Sequence, residues 1–118
     1  MITEIAHLNI KAGEEKQFEQ QVAKAKPYFM AAKGFHGISL HRCIEHPNQY
    51  ELHVQWETIE NHMVDFRESD GFKQWRALVG GHFAAPPVVE PLAVAPLATV
   101  TVSPSGAVIV TSPSPAVG

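Results

Sequence analysis

The stretch Gln49 to Trp75, QYELHVQWETIENHMVDFRESDGFKQW, runs from an apolar strand into two aromatic-rich helical blocks with no spacer between them. Tyr50, Leu52, Val54 and Trp56 alternate with Glu51, His53 and Gln55, the period of two that marks a strand with one apolar and one polar face. Thr58 stands where an N-cap belongs, Glu60 falls in the first turn, and Ile59, Met63 and Phe66 follow at helical spacing. Ser69 and Asp70 can cap a second helix in which Phe72, Trp75, Leu78 and Val79 share a stripe that ends at Gly80 and Gly81. The expected result is a strand feeding a helix split near Glu68 to Gly71, with a pocket between sheet and helices.

The segments before it extend the pattern. Ile2 to Lys11 alternates, with Ile2, Ala6, Leu8 and Ile10 toward one side and Thr3, Ile5, His7 and Asn9 toward the other. From Glu14 to Lys33 the positions Phe18, Val22, Ala25, Phe29 and Ala32 make a helical stripe closed by Gly34. Pro27 lies inside that helix and predicts a kink or break, because proline removes a backbone donor and crowds the carbonyl four residues back. Phe35 to Glu45 alternates again, and His46-Pro47-Asn48 supplies a turn. Pro87 to Val94 completes the order β-α-β-β-α-β as a strand whose prolines confine it to an edge.

That order is the ferredoxin-like arrangement of the α+β class: one antiparallel sheet with both helices on a single face. Its other face is bare, so a homodimer with the two sheets packed face to face is the expected assembly.

With 118 residues, one domain is the default. A net charge of −3 with scattered Lys and Arg argues against nucleic acid as a partner. Cys43 is the lone cysteine, so no intrachain disulfide can form and the chain reads as a reduced, cytoplasmic protein. No run of apolar residues is long enough to span a bilayer, which sets the membrane aside.

The phrases MITEIAHLNIKAGEEKQFEQ, the helix end from Pro27 to Gly34 leading into GFHG, and WETIENHMVDFRESDGFKQWRALVGGHF followed by PVVE resemble the antibiotic biosynthesis monooxygenase family over residues 1 to 94. Trp56-Glu57-Thr58 and FRESDGFKQWRAL are the most specific matches. The resemblance implies a dimeric α+β barrel. In some members it implies oxygenation of small aromatic or quinol-type substrates without a cofactor, and in others haem degradation. Where polyketide-oxidising members carry an amide and two further aromatics, the matching positions hold His62, Phe66 and Phe72. His62 and Phe66, four residues apart on one helix, can line the same pocket, with fewer hydrogen-bonding groups than those relatives use. Where haem-degrading members place asparagine, tryptophan and a ligating histidine, this chain has Ala6, Phe66 and Arg76, which argues against that activity.

Candidate site residues follow. His62 or His82 would move or orient the substrate proton, an imidazole being suited to proton transfer near neutrality. Phe66, Phe72 and Trp75, joined by Phe29, would shape an apolar substrate cavity for a small aromatic molecule. His7, His41 and His53 project from the polar sheet face on three strands that the fold brings together. Hydrogen bonding across a dimer interface is preferred there over a metal site, since no HExxH, HxH or CxxC spacing occurs. Trp56 reads as core packing, and Cys43 as a buried, inert thiol. A non-catalytic ligand-binding or stress-related module is the alternative to an oxygenase.

After Val94 the composition changes. From Ala84 to Gly118 only Glu90 is charged and seven of the nine prolines occur. Residues 95–118 therefore read as a tail outside the 1–94 domain, in which ATVTV and AVIVT flank SPSG as a hairpin that would dock, cross to the partner, or stay disordered.

Overall fold

The computed structural model describes residues 1–93, 99–102 and 104–111. Four strands form one antiparallel sheet: β1 (Ile2–Asn9), β2 (Phe35–Arg42), β3 (Gln49–Trp56) and β4 (Val88–Ala93), in the order β2-β3-β1-β4. The first strand of the chain is thus central, paired with β3 from Ile2↔Trp56 to Asn9↔Gln49 and with β4 from Ile2↔Ala93 to His7↔Val88. The expected last strand lies on an edge, with Pro91 opposite Glu4; Val94, its expected end, lies outside the described residues.

Helix α1 (Glu15–Met30) buries Phe18, Val22, Ala25 and Phe29, and α2 (Asp70–Val79) buries Trp75 and Val79. Both pack on the sheet face that carries Ala6, Leu8, Tyr50, Leu52, Val54 and Trp56, so the core is one layer between sheet and helices. Two predicted details change. α1 runs through Pro27 without a break, and the Pro27 carbonyl accepts the Ala31 N–H at 3.0 Å. The cost is confined to one missing bond to the Ala23 carbonyl, and Phe29, just beyond the proline, is anchored in the core.

The second change concerns the link from β3 to α2. Thr58 does cap it: its hydroxyl accepts the Asn61 N–H at 3.3 Å and donates to the Asn61 side-chain oxygen at 2.9 Å. The turn that follows, Asn61–Phe66, is wound as a π-helix, whose i→i+5 bonding departs from the α-helical period. Asn61, His62 and Phe66 are buried, whereas Ile59 and Met63, expected on the inner stripe, are exposed. The split before α2 is as expected, and Ser69 caps α2 by accepting the Phe72 N–H at 3.2 Å.

Beyond the main sheet, β5 (Thr99–Val102) and β6 (Val108–Thr111) pair antiparallel, from Thr99↔Thr111 to Val102↔Val108, which is the hairpin expected in the tail. Among the described residues, no helix is long and apolar enough to cross a membrane.

Candidate functional site

Between the sheet and the helices lies a cavity of about 490 Å³, within the range that small-molecule sites occupy. The sheet contributes Glu4, Ala6, Leu8, Leu52 and Val89; α1 contributes Phe29; the π-turn contributes His62 and Phe66, followed by Arg67. From α2 come Phe72, Trp75 and Arg76, and Phe83, Pro86 and Pro87 close the side nearest β4. All four expected wall residues, Phe29, Phe66, Phe72 and Trp75, are there. Their rings touch in sequence: Phe29 stands 4.7 Å from Phe66 and 5.1 Å from Trp75, and Phe66 stands 5.7 Å from Phe72, centroid to centroid. Edge and tilted contacts of this kind suit the ring quadrupoles and hold the wall stiff.

His62 also lines the cavity, with 3 % of its surface exposed. Its Nδ1 lies 2.9 Å from Oε1 of Glu4, a carboxylate that sequence patterning did not single out. The approach is off the hydrogen-bond direction, and neither ring nitrogen has a hydrogen-bond partner among the described residues. Glu4 is 8 % exposed, and the same Oε1 accepts the indole N–H of Trp56 at 2.9 Å. A carboxylate taken out of water costs several kcal/mol unless it is compensated. Here the compensation is one indole N–H and the imidazole edge. Trp56, read from sequence as packing, is fully buried as expected and also fixes the rotamer of Glu4; its ring stacks at 6.4 Å and 27° on His62.

Two features of the sequence could have revealed Glu4. It lies in phase with Ile2, Ala6 and Leu8, on the inward face of β1, and it is the only charged residue on that face. The register Glu4↔Val54 then places it two positions from Trp56 on the neighbouring strand.

His82 is positioned differently. It sits in a 3₁₀ turn (Gly80–His82) after α2, and its Nδ1 lies 2.8 Å from Oε1 of Glu14 at the start of α1. Its carbonyl accepts the Lys11 N–H at 2.9 Å, so the residue ties the end of α2 to the β1–α1 connection. His82 does not line the cavity. The structure therefore brings His62 together with the four aromatics and leaves His82 outside that group.

The mouth of the cavity is basic. Arg67 and Arg76 are exposed, and Arg76 lies over the Phe72 ring at 5.9 Å. Among the described residues the lysine and arginine ion pairs are Arg42–Glu19 and Lys73–Asp70, so neither cavity arginine is neutralised by a carboxylate.

On the opposite sheet face, His7, His41 and His53 do gather, as expected, around Glu51. His53 Nε2 is 2.9 Å from Glu51, His7 Nδ1 is 3.6 Å from it, and the His41 and His53 rings are 4.3 Å apart. The hydrogen bond from His53 holds the Glu51 carboxyl below its usual range, with His7 adding to the effect. His41 Nε2 is engaged by Ser39 Oγ at 2.8 Å. Among the described residues no group of three or more His, Cys, Asp or Glu side chains is arranged to hold a metal ion. Cys43, expected to be buried, is half-exposed just past the end of β2, because the chain there has left the covered part of the sheet.

Comparison with known proteins agrees with this architecture. The family model for antibiotic biosynthesis monooxygenase matches residues 1–78. The Bacillus subtilis (strain 168) protein YczJ, whose activity is uncharacterised, is 39 % identical over 90 residues, covering 76 % of this chain and 95 % of its own. A crystal structure from Bordetella bronchiseptica, assigned to the antibiotic biosynthesis monooxygenases, superposes with a TM-score of 0.78 at 52 % identity, covering 80 % of this chain and 96 % of that one. SnoaB, a cofactor-independent oxygenase from Streptomyces nogalater, shares the fold with a TM-score of 0.69 at 16 % identity, over 79 % of this chain and 91 % of its own. On the family match and on these identities, the chain belongs to the antibiotic biosynthesis monooxygenase family.

Proposed function

We propose that this protein is a monooxygenase that oxidises a small aromatic or quinol-type substrate without a cofactor. The observation that carries the reading is the His62–Glu4 pair, buried in a cavity whose walls include Phe29, Phe66, Phe72 and Trp75. Glu4, held by Trp56, attracts the Nδ1–H edge of the imidazole and so favours the tautomer in which Nε2 is the free base. That base takes the substrate's phenolic or enolic proton. The resulting anion is electron-rich at carbon and transfers an electron to O2. Recombination forms a carbon–oxygen bond to give a hydroperoxide, which loses water and leaves a quinone carbonyl. One oxygen atom enters the product and the other leaves as water, so the substrate supplies all the electrons. The apolar walls exclude bulk water from the anion and its radical partner.

The bare sheet face supports a homodimer, since Ile5 at its centre and exposed Val88 and Leu92 at its edge present apolar surface to a second copy. The free thiol of Cys43 suits a reducing, cytoplasmic setting.

Oxygen uptake with a panel of hydroquinones and anthrones, wild type against His62→Ala, tests the enzymatic reading. Uptake above the buffer rate that falls in the variant is expected. Uptake at the buffer rate throughout would leave the non-catalytic reading, in which the same cavity holds a small apolar ligand.

A further inference from the structure

The cavity is electrically polarised along its depth. Glu4 and His62, in contact with each other, are buried at its inner side, whereas Arg67 and Arg76, both exposed and without a carboxylate partner among the described residues, border its outer side. The two arginines come from different elements, one directly after the π-turn and the other on α2, yet they border the same apolar space. A neutral quinol would use neither of them. An acidic group at the inner end would face the Glu4 carboxylate across a medium that screens poorly. At the outer end it meets two guanidinium groups whose planar donors suit a carboxylate.

We propose that the substrate is an aromatic acid: a hydroxylated ring carrying a carboxylate, which Arg67 and Arg76 bind while the ring hydroxyl is directed at His62. This rests on the cavity being the substrate site, and it adds a substrate class and a fixed orientation. Because the arginines are exposed, their attraction is moderated by solvent and salt.

The test is calorimetric titration, without oxygen, of the full chain with 2,5-dihydroxybenzoate and with its methyl ester, which share a ring and differ in charge. The acid is expected to bind ~10-fold more tightly than the ester at low salt. That preference should fall to ~2-fold or less in Arg67→Gln/Arg76→Gln and shrink at high salt in the wild type. Lys73→Gln, which alters an exposed lysine paired with Asp70 outside the cavity, should keep the preference. Equal affinities for acid and ester, binding of neither, or a preference that survives loss of both arginines would overturn the proposal. Acid-selective binding that depends on the two arginines while oxygen uptake with the acid stays at the buffer rate would overturn the monooxygenase reading and leave the arginines as the carboxylate site of a bound aromatic acid.

Discussion

Nδ1 of His62 and Oε1 of Glu4 stand 2.9 Å apart, although one residue belongs to the first strand and the other to a helical turn that follows the third. The contact is maintained by Trp56, whose indole donates to the same oxygen. A glutamine at position 4 keeps an acceptor for that indole and removes the charge. Glu4→Gln is therefore expected to fold normally and to lose roughly 10- to 100-fold in kcat with little change in KM, because the pair acts on the base and not on the ring. Oxygen-uptake kinetics with circular dichroism as a folding control would check it; an unchanged kcat would remove Glu4 from the mechanism.

Gly34 is a second sensitive position. Its φ of +78° lies in the left-handed region, and a Cβ there would come within 2.1 Å of the Asn61 side-chain oxygen. Asn61 in turn is bonded to Thr58 and Asp65 at the start of the π-turn. Gly34→Ala should cost at least ~1–2 kcal/mol from the backbone alone, and more once Asn61 is displaced. Urea denaturation measures the loss, and a wild-type midpoint would contradict it.

Tyr50 governs the alkaline limit. Burial pushes its phenol up from 10.0 to about 12, helped by the hydrogen bond its hydroxyl donates to Glu19 at 2.6 Å. The unfolded chain releases this proton near pH 10 while the folded chain retains it. Its contribution to stability is thus complete below pH 10 and declines between pH 10 and about 12. The loss across that window should be on the order of 2 kcal/mol, and Tyr50→Phe should flatten it. Chemical denaturation at a series of pH values would show an equal alkaline decline in both proteins if Tyr50 were not responsible.

The open sheet face supplies a test of assembly. Ile5 lies at its centre, opposite His53 on one side and Glu90 on the other. Ile5→Glu introduces a charge into the proposed sheet-to-sheet contact beside Glu90, and should weaken self-association by ~30-fold or more while leaving the monomer folded. Sedimentation velocity distinguishes a dimeric wild type from a monomeric variant. A wild type that is monomeric at every concentration would sink the homodimer.

Much of the fold was legible in the sequence because alternation and helical spacing report burial directly. Tyr50 to Trp56 and Phe18 to Phe29 occupy the inward faces their periods predict. Part of the cavity wall was legible for the same reason, since Phe72 and Trp75 sit on the predicted stripe of α2. Ile59 and Met63 were misplaced because π-winding changes which residues share a face, and it buries Asn61 and His62 with Phe66 instead. Glu4 escaped attention because it interrupts an otherwise apolar face, and its partners lie 52 and 58 positions away. His82 looked available for chemistry, but tertiary structure places it against Glu14 and outside the cavity. Local pattern reports which face a side chain occupies; it carries no information on which distant group shares that face.

The central position of β1 bears on how the molecule is made. This strand is flanked on both sides by strands that come later in the chain, β3 and β4. Its pairing cannot be completed until residues as far along as Ala93 have emerged, so the contacts that matter most are also among the most distant in sequence. The contacts of Glu4 are of the same long-range kind, since its carboxylate leaves water only where β1 and β3 pair and bring Trp56 and His62 to it. A chain in which β1 has not yet paired with β3 therefore lacks the buried Glu4–His62 contact.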